Sequence, residues 1–195
     1  MGNLLSVLNA LAEIGAQGEL VCEPERLCDY GRLILPGVGA FGDAMKTLNE
    51  TGLAQSVRDR AASGCPLFGI CLGMQLICST SQEDGLHQGL GLIPASVVRF
   101  PETAGFKVPH MGWNAISWQK EHALRQGVED GCDVYFVHSY YVECEQAADV
   151  LAVCEHSRPF AAAIARDNVM GTQFHPEKSQ RPGLKMLENF VELTC

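Results

Sequence analysis

Pro66-Leu67-Phe68-Gly69-Ile70-Cys71-Leu72-Gly73-Met74-Gln75 carries a short apolar strand straight into a helix, with a cysteine at the junction. A continuous apolar run of this length suits a strand covered on both faces, as in parallel sheets. Glycines two before and two after Cys71 permit a sharp strand-to-helix turn. The central side chain then projects from the sheet edge, which is the logic of a nucleophile elbow. Unpaired N–H groups at a helix start favour negative charge beside them. The same amides, Leu72 above all, can donate to an oxyanion. Taken alone, the G-x-C-x-G spacing is also compatible with a purely structural turn.

Upstream of this stretch, the spacing of Leu4, Leu5, Leu8, Leu11 and Ala12 predicts a helix from about Asn3 to Ile14, stopped at Gly15. A short strand is expected near Glu19–Cys22, and another at Arg32–Leu35, closed by Pro36-Gly37. Helical patterns follow at Gly42–Asn49 and Leu53–Ala62, and the helix opened by Cys71 is expected to reach about Ser79. Strands bounded by helices in this way indicate an α/β domain with a mostly parallel central sheet. Downstream, Leu90–Phe100, Trp113–Trp118, Asp133–Ser139, Val150–Cys154, Ala161–Arg166 and Val169–Phe174 read as strands with few helices between them. They imply an antiparallel extension of the sheet. Gly183–Val191 returns to helical spacing. With no linker, repeat or low-complexity tract, residues 1–195 are expected to form one domain.

Two further segments carry chemistry. In Gln173-Phe174-His175-Pro176-Glu177, His175 and Glu177 stand two apart on an extended segment and point the same way. The carboxylate can brace one imidazole nitrogen and leave the other free to exchange a proton. Such a pair is also common on surfaces, but Cys71 supplies the missing third member of a nucleophile, base and orienter set. In Leu35-Pro36-Gly37-Val38-Gly39-Ala40-Phe41-Gly42 the glycines satisfy G-x-G-x-x-G formally. No acidic residue closes a strand about 20 residues later, as ribose binding would require. A plain tight turn and a loop presenting a peptide N–H to an oxyanion remain beside the nucleotide reading.

A net charge of −9 argues against broad nucleic-acid binding, and no apolar run is long enough to span a membrane. The nine cysteines include no C-x-x-C pair, so neither a zinc ribbon nor a thioredoxin-type site is expected, and no metal site is assigned. They read as reduced thiols of a cytoplasmic protein, with Cys22, Cys78 and Cys154 packing as small hydrophobes. Met1-Gly2-Asn3-Leu4-Leu5-Ser6 also fits a myristoylation pattern, though the helical reading accounts for these residues better.

Together these segments resemble the class I (triad) glutamine amidotransferases, and more narrowly the glutaminase subunits of imidazole glycerol phosphate synthases. The resemblance covers nearly the whole chain. It runs through Pro36–Asp43, Gly69–Gln75, Val108–Asn114, Tyr135–Tyr140 and Gly171–Ser179. It implies Cys71 as nucleophile, His175 as general acid and base, and Glu177 as orienter. Gly37, Val38, Gly39 and Leu72 would frame the oxyanion, and Gln75, His138, Ser139 and Tyr140 would hold the amino-acid end of L-glutamine. His138 reads equally well as a packed strand histidine. His110, Trp113 and Asn114 would face a partner, a separate (β/α)₈ cyclase subunit forming a heterodimer, and no cofactor is called for. The resemblance also implies an apolar strand before Met1, inside the sheet, that this sequence does not contain. A glutaminase serving a different synthase, a stand-alone cysteine hydrolase and a non-catalytic scaffold are the competing readings.

Overall fold

The computed structural model describes residues 2–193. Helix α1 (Gly2–Glu13) is followed by an irregular crossing, a 3-10 turn at Pro24–Asp29 and strand β1 (Leu33–Gly37). Helices α2 (Phe41–Glu50) and α3 (Leu53–Ala62) lead to β2 (Leu67–Cys71) and a short α4 (Leu72–Leu76). Strands then dominate: β3 (Cys78–Ser81), β4 (His87–Gln88), β5 (Ile93–Arg99), β6 (His110–Trp118) and β7 (Asp133–His138). They continue as β8 (Tyr140–Cys144), β9 (Val150–Glu155), β10 (Pro159–Arg166) and β11 (Val169–Thr172). A 3-10 turn at Pro176–Lys178 leads into helix α5 (Gln180–Val191).

The sheet is mixed. β2 lies between β1 and β11 and runs parallel to both. Beyond β11 it turns antiparallel through β10 and β8 to β5, and β3 rejoins β5 in parallel. β10 also pairs with β9, which carries β6 and then β7 as a branch. The β10–β11 hairpin turns at Asp167-Asn168, with Asp167 at φ 52°. There the Asn168 amide donates to the Ala61 and Cys65 carbonyls and stitches the turn to the end of α3.

Alternation along β2 feeds two cores. Phe68 and Ile70 face α1 and α5, where Phe68 stacks on Phe190 at 5.2 Å. Leu67 faces α2, α3 and α4 with Phe41, Met45 and Val57. Fully burying one such side chain contributes about 1.5–3 kcal/mol, so both faces of the sheet are covered by helices at a substantial gain.

Residues 19–22 do not form the expected strand. They lie across a groove of about 510 Å³ from β1, lined by Leu8, Leu11, Leu20, Val21, Ile34 and Leu35 among others. An extended segment becomes a strand only through ladder partners, and among the described residues none pairs with this segment or with the outer edge of β1. Leu33 N–H donates to the Pro66 carbonyl at 2.8 Å, so Leu33 and Leu35 turn their peptide groups toward β2. Ile34 and Pro36 turn theirs to the groove, and Pro36 has no N–H to leave unpaired. In hydrogen exchange the Ile34 amide is therefore expected to lose its proton at least about tenfold faster than Leu35, the contrast between a solvated and a laddered amide. Equal protection of the two would show that the edge is covered.

Candidate functional site

The turn at Cys71 is as tight as the sequence implies. Cys71 sits at φ 54°, ψ −107°, a strained conformation for a side-chain-bearing residue, costing on the order of 1–3 kcal/mol. The flanking glycines are demanded by contact. A Cβ at Gly73 would stand 1.7 Å from the Leu35 carbonyl oxygen, and one at Gly69 would stand 2.6 Å from the Gly73 backbone. Helix α4 therefore rests directly on β1 and β2. It ends sooner than expected because Leu90 N–H takes the Leu76 carbonyl at 2.8 Å and Leu92 N–H takes that of Ile77 at 2.9 Å. The next helical turn is left without acceptors, and the chain passes into β3. Gly37 is paired in register with Cys71 across β1 and β2, and exposed Val38 and Gly39 follow in the loop. The far end of that loop is anchored by Glu83, whose carboxylate accepts from Phe41 N–H at 2.6 Å.

His175 is held from three sides. Its N–H donates to the Tyr135 carbonyl at 2.9 Å, and its own carbonyl accepts from Ser179 Oγ at 2.6 Å. Ser179 Oγ in turn accepts from Tyr135 N–H at 3.0 Å, locking β7 to the turn. Glu177 Oε1 accepts from His175 Nδ1 at 2.8 Å, with both side chains buried. A carboxylate only accepts here, so Nδ1 carries a proton and Nε2 remains for the Cys71 side. Burial opposes charge on His175, but its hydrogen bonds and attraction to Cys71 and Glu177 outweigh that cost and raise its pKa to about 9.

Beside this set lies a buried polar chain. Gln75 Nε2 donates to the Tyr140 carbonyl at 3.1 Å and to Gln173 Oε1 at 3.0 Å. Gln173 Nε2 donates to Cys71 Sγ at 3.8 Å. The Tyr140 carbonyl also accepts from His138 Nδ1 at 2.8 Å, which leaves His138 Nε2 as an acceptor for His110 Nδ1–H at 3.0 Å. His110 Nε2 then accepts from Asn114 Nδ2 at 3.3 Å. One tautomer for each histidine satisfies every link. Burial lowers the His138 pKa to about 3, and burial with the neighbouring His156 lowers that of His110 to about 4, so both rings are neutral. Ser139 joins β7 to β8, and its carbonyl accepts from Phe100 N–H at 3.1 Å.

Of the three residues expected to face a partner, only Trp113 points outward, at 48% exposure, next to Met111 at 62%. His110 is buried, and Asn114 turns inward to His110 and to the Glu155 carbonyl. The reason is the two-residue period of β6: positions 110, 112 and 114 face the sheet while 111 and 113 face away. The outward row continues through Tyr135, edge-on to Trp113 at 5.9 Å, to Lys178, 5.8 Å above the Tyr135 ring. Gln173, Ser179 and Glu83 were not singled out from the sequence. For Gln173 a signal existed, because it stands two before His175 and so shares its side of the segment.

Comparison with known proteins identifies the family. Residues 3–193 match the family described as Glutamine amidotransferase class-I. The chain belongs to that family. It is 49% identical to "Imidazole glycerol phosphate synthase subunit HisH" of Wolinella succinogenes, covering 99% of this chain and 96% of that protein. The protein of the same name from Moorella thermoacetica is also 49% identical, with 99% and 91% covered. Among solved structures, a glutamine amidotransferase superposes with a TM-score of 0.74 at 22% identity, covering 97% of this chain and 95% of that one. A chain of PurLQS from Thermotoga maritima superposes with a TM-score of 0.74 at 19% identity, with 96% and 91% covered. These two likenesses establish the fold.

Within this amidotransferase, Cys71 is half-buried at the site. Burial pushes the thiols of Cys144 and Cys154 up to about 12 and that of Cys132 up to about 11, so these remain protonated. Cys22 is exposed and does not pack as expected. Among the described residues no group of His, Cys, Asp and Glu has the arrangement to hold a metal, and no helix is long and apolar enough to cross a membrane. The neutral histidines set a pH dependence. Their folded pKa values lie below the ordinary imidazole value of about 6.5, so the unfolded chain binds protons first as pH falls. Their contribution to stability is complete above pH ~6.5 and is lost as pH falls toward the folded values of about 4 and 3. Urea midpoints are expected to drop across that window, and a His110→Phe, His138→Leu double variant should flatten the drop. An equally steep fall in the double variant would contradict the assignment.

Proposed function

We propose that this amidotransferase is the glutaminase subunit of an imidazole glycerol phosphate synthase, hydrolysing L-glutamine through a thioester on Cys71. The observation that carries the chemistry is His175, hydrogen-bonded on one side to Glu177 and on the other to Cys71, behind a strained elbow. The identities of 49% over nearly the full chain support the choice of synthase.

The sulfur attacks the side-chain carboxamide carbon as a thiolate. The oxyanion that forms is framed by Leu72 N–H and the Gly37-Val38-Gly39 loop. His175 passes its proton to the amide nitrogen, the carbon–nitrogen bond breaks, and ammonia leaves a glutamyl thioester. His175, now neutral, takes a proton from water; the hydroxide adds to the thioester and glutamate departs, regenerating the thiolate and the protonated histidine. Glu177 keeps Nδ1 protonated throughout. Gln75 has committed both amide hydrogens to Tyr140 and Gln173, so it offers the substrate only an acceptor, suited to the α-ammonium group. Ammonia passes to a cyclase subunit, a (β/α)₈ barrel in a heterodimer, which docks on the outward row of Met111, Trp113, Tyr135 and Lys178. The setting is the cytoplasm.

The test is glutaminase activity of the purified chain with and without the cyclase and its substrate. Cys71→Ser is expected to lose activity by more than about a thousandfold, the scale on which a nucleophile acts. Acylation needs the protonated imidazole, so its rate should fall as pH rises through about 9. Glu177→Gln should move that limb downward toward about 6.5. Turnover of glutamine by Cys71→Ser at the wild-type rate would refute the proposal.

A further inference from the structure

Gln173 is wholly buried, and a carboxamide in such a place is costly unless its polar atoms are bonded. It leaves β11 one residue after Thr172, two before His175, and so presents its side chain on the histidine's side of the segment. Its oxygen accepts from Gln75 Nε2, whose other hydrogen is held by the Tyr140 carbonyl. Gln75 cannot turn without losing both bonds, and a flipped Gln173 would set two donors against each other. The amide nitrogen of Gln173 therefore has one orientation open to it, toward Cys71 Sγ at 3.8 Å.

We propose that Gln173 is a positioning residue for the attacking sulfur: its carboxamide, pinned by Gln75, donates an N–H to Cys71 and keeps the thiolate aimed at the substrate carbon. A thiolate accepts a hydrogen bond more strongly than a thiol does, so the contact tightens on the attacking sulfur and fixes its direction. Cys71 then has two neighbouring donors, His175 and Gln173. Only the histidine gives up its proton; the amide stays in place through acylation and deacylation. The pinning extends through the Tyr140 carbonyl, His138 and His110 to Asn114 on β6, so the support for the sulfur's second donor reaches the strand that bears Trp113.

The significance for turnover rests on the glutaminase reading, but the contact itself does not, and the experiment separates the two. The probe is iodoacetamide, with alkylation at Cys71 followed by peptide mass mapping and the exposed Cys22 as internal reference. Gln173→Met keeps the length of the side chain and removes the donor. Its Cys71 alkylation at neutral pH is expected to fall about tenfold, the effect of losing one bond to a charged group. Gln173→Glu keeps the acceptor for Gln75 but turns a carboxylate toward the sulfur. Its alkylation should therefore fall further than that of Gln173→Met, a pattern that loss of packing does not produce. In the reconstituted enzyme, Gln173→Met should lower kcat with little change in KM for glutamine. Wild-type alkylation rates at Cys71 in a folded Gln173→Met or Gln173→Glu protein would overturn the proposal. Altered alkylation in a protein whose wild type hydrolyses no glutamine, even with the cyclase, would uphold it while refuting the glutaminase assignment.

Discussion

The contact on which the site depends is the approach of α4 to the backbone of β1 and β2. Glycines at 69 and 73 remove the two side chains that would hold the helix away, and the Leu35 carbonyl occupies the space a Cβ at Gly73 would need. That approach forces the chain to reverse within one residue, and Cys71 absorbs the reversal as backbone strain. The consequence is chemical. A side chain at the apex of such a turn points away from the sheet, next to the first unpaired amides of a helix, with the Gly37 end of β1 in register beside it. Packing on both faces of β2, by α1 and α5 on one side and α2 to α4 on the other, supplies the free energy that holds the strain in place.

Buried polar groups then complete the site, and most are tolerated because they are bonded; Glu177 spends Oε1 on His175, while its Oε2 is buried without a hydrogen-bond partner. Ser179 ties His175 to β7 through one hydroxyl that both donates and accepts. Glu177 sets the tautomer of His175, and the Tyr140 carbonyl sets that of His138. The two kinds of histidine diverge for a physical reason. His175 faces a carboxylate and a thiol, which favour its charged form. His138 and His110 face a carbonyl, an amide and each other, which do not repay the loss of hydration. The same residue type is thus protonated at one point of the core and neutral at another.

Much of this was legible in the residues. The elbow, the His175–Glu177 brace and the closing helix follow from local patterns whose physics is local: small residues at tight turns, alternation along extended segments, helical spacing of apolar side chains. The inward turn of His110 and Asn114 was also legible, since they differ from Trp113 by an odd number of positions on a strand, but the motif drew all three into one surface. The length of α4 was not legible, because it ends where residues 90 and 92 come to claim its carbonyls. Nor was the state of residues 19–22, whose apolar pattern suits a strand but which lack a neighbour to pair with.

By itself the sequence determined which groups the protein has to work with and the turn that exposes one of them. A cysteine between two glycines at the end of an apolar strand, and a His-x-Glu on a later segment, offer a thiol, an imidazole and a carboxylate whose spacings, taken together, suit a nucleophile, a base and its brace. Tertiary structure decided the relations among groups distant in the chain: that Gln173 points its amide at the sulfur, that Gln75 holds it there, and that a line of hydrogen bonds reaches from Cys71 to Asn114. Those relations join residues separated by as many as 102 positions. They depend on which strands pair and in what register, and a hydrogen bond across such a distance leaves no period in the sequence to read.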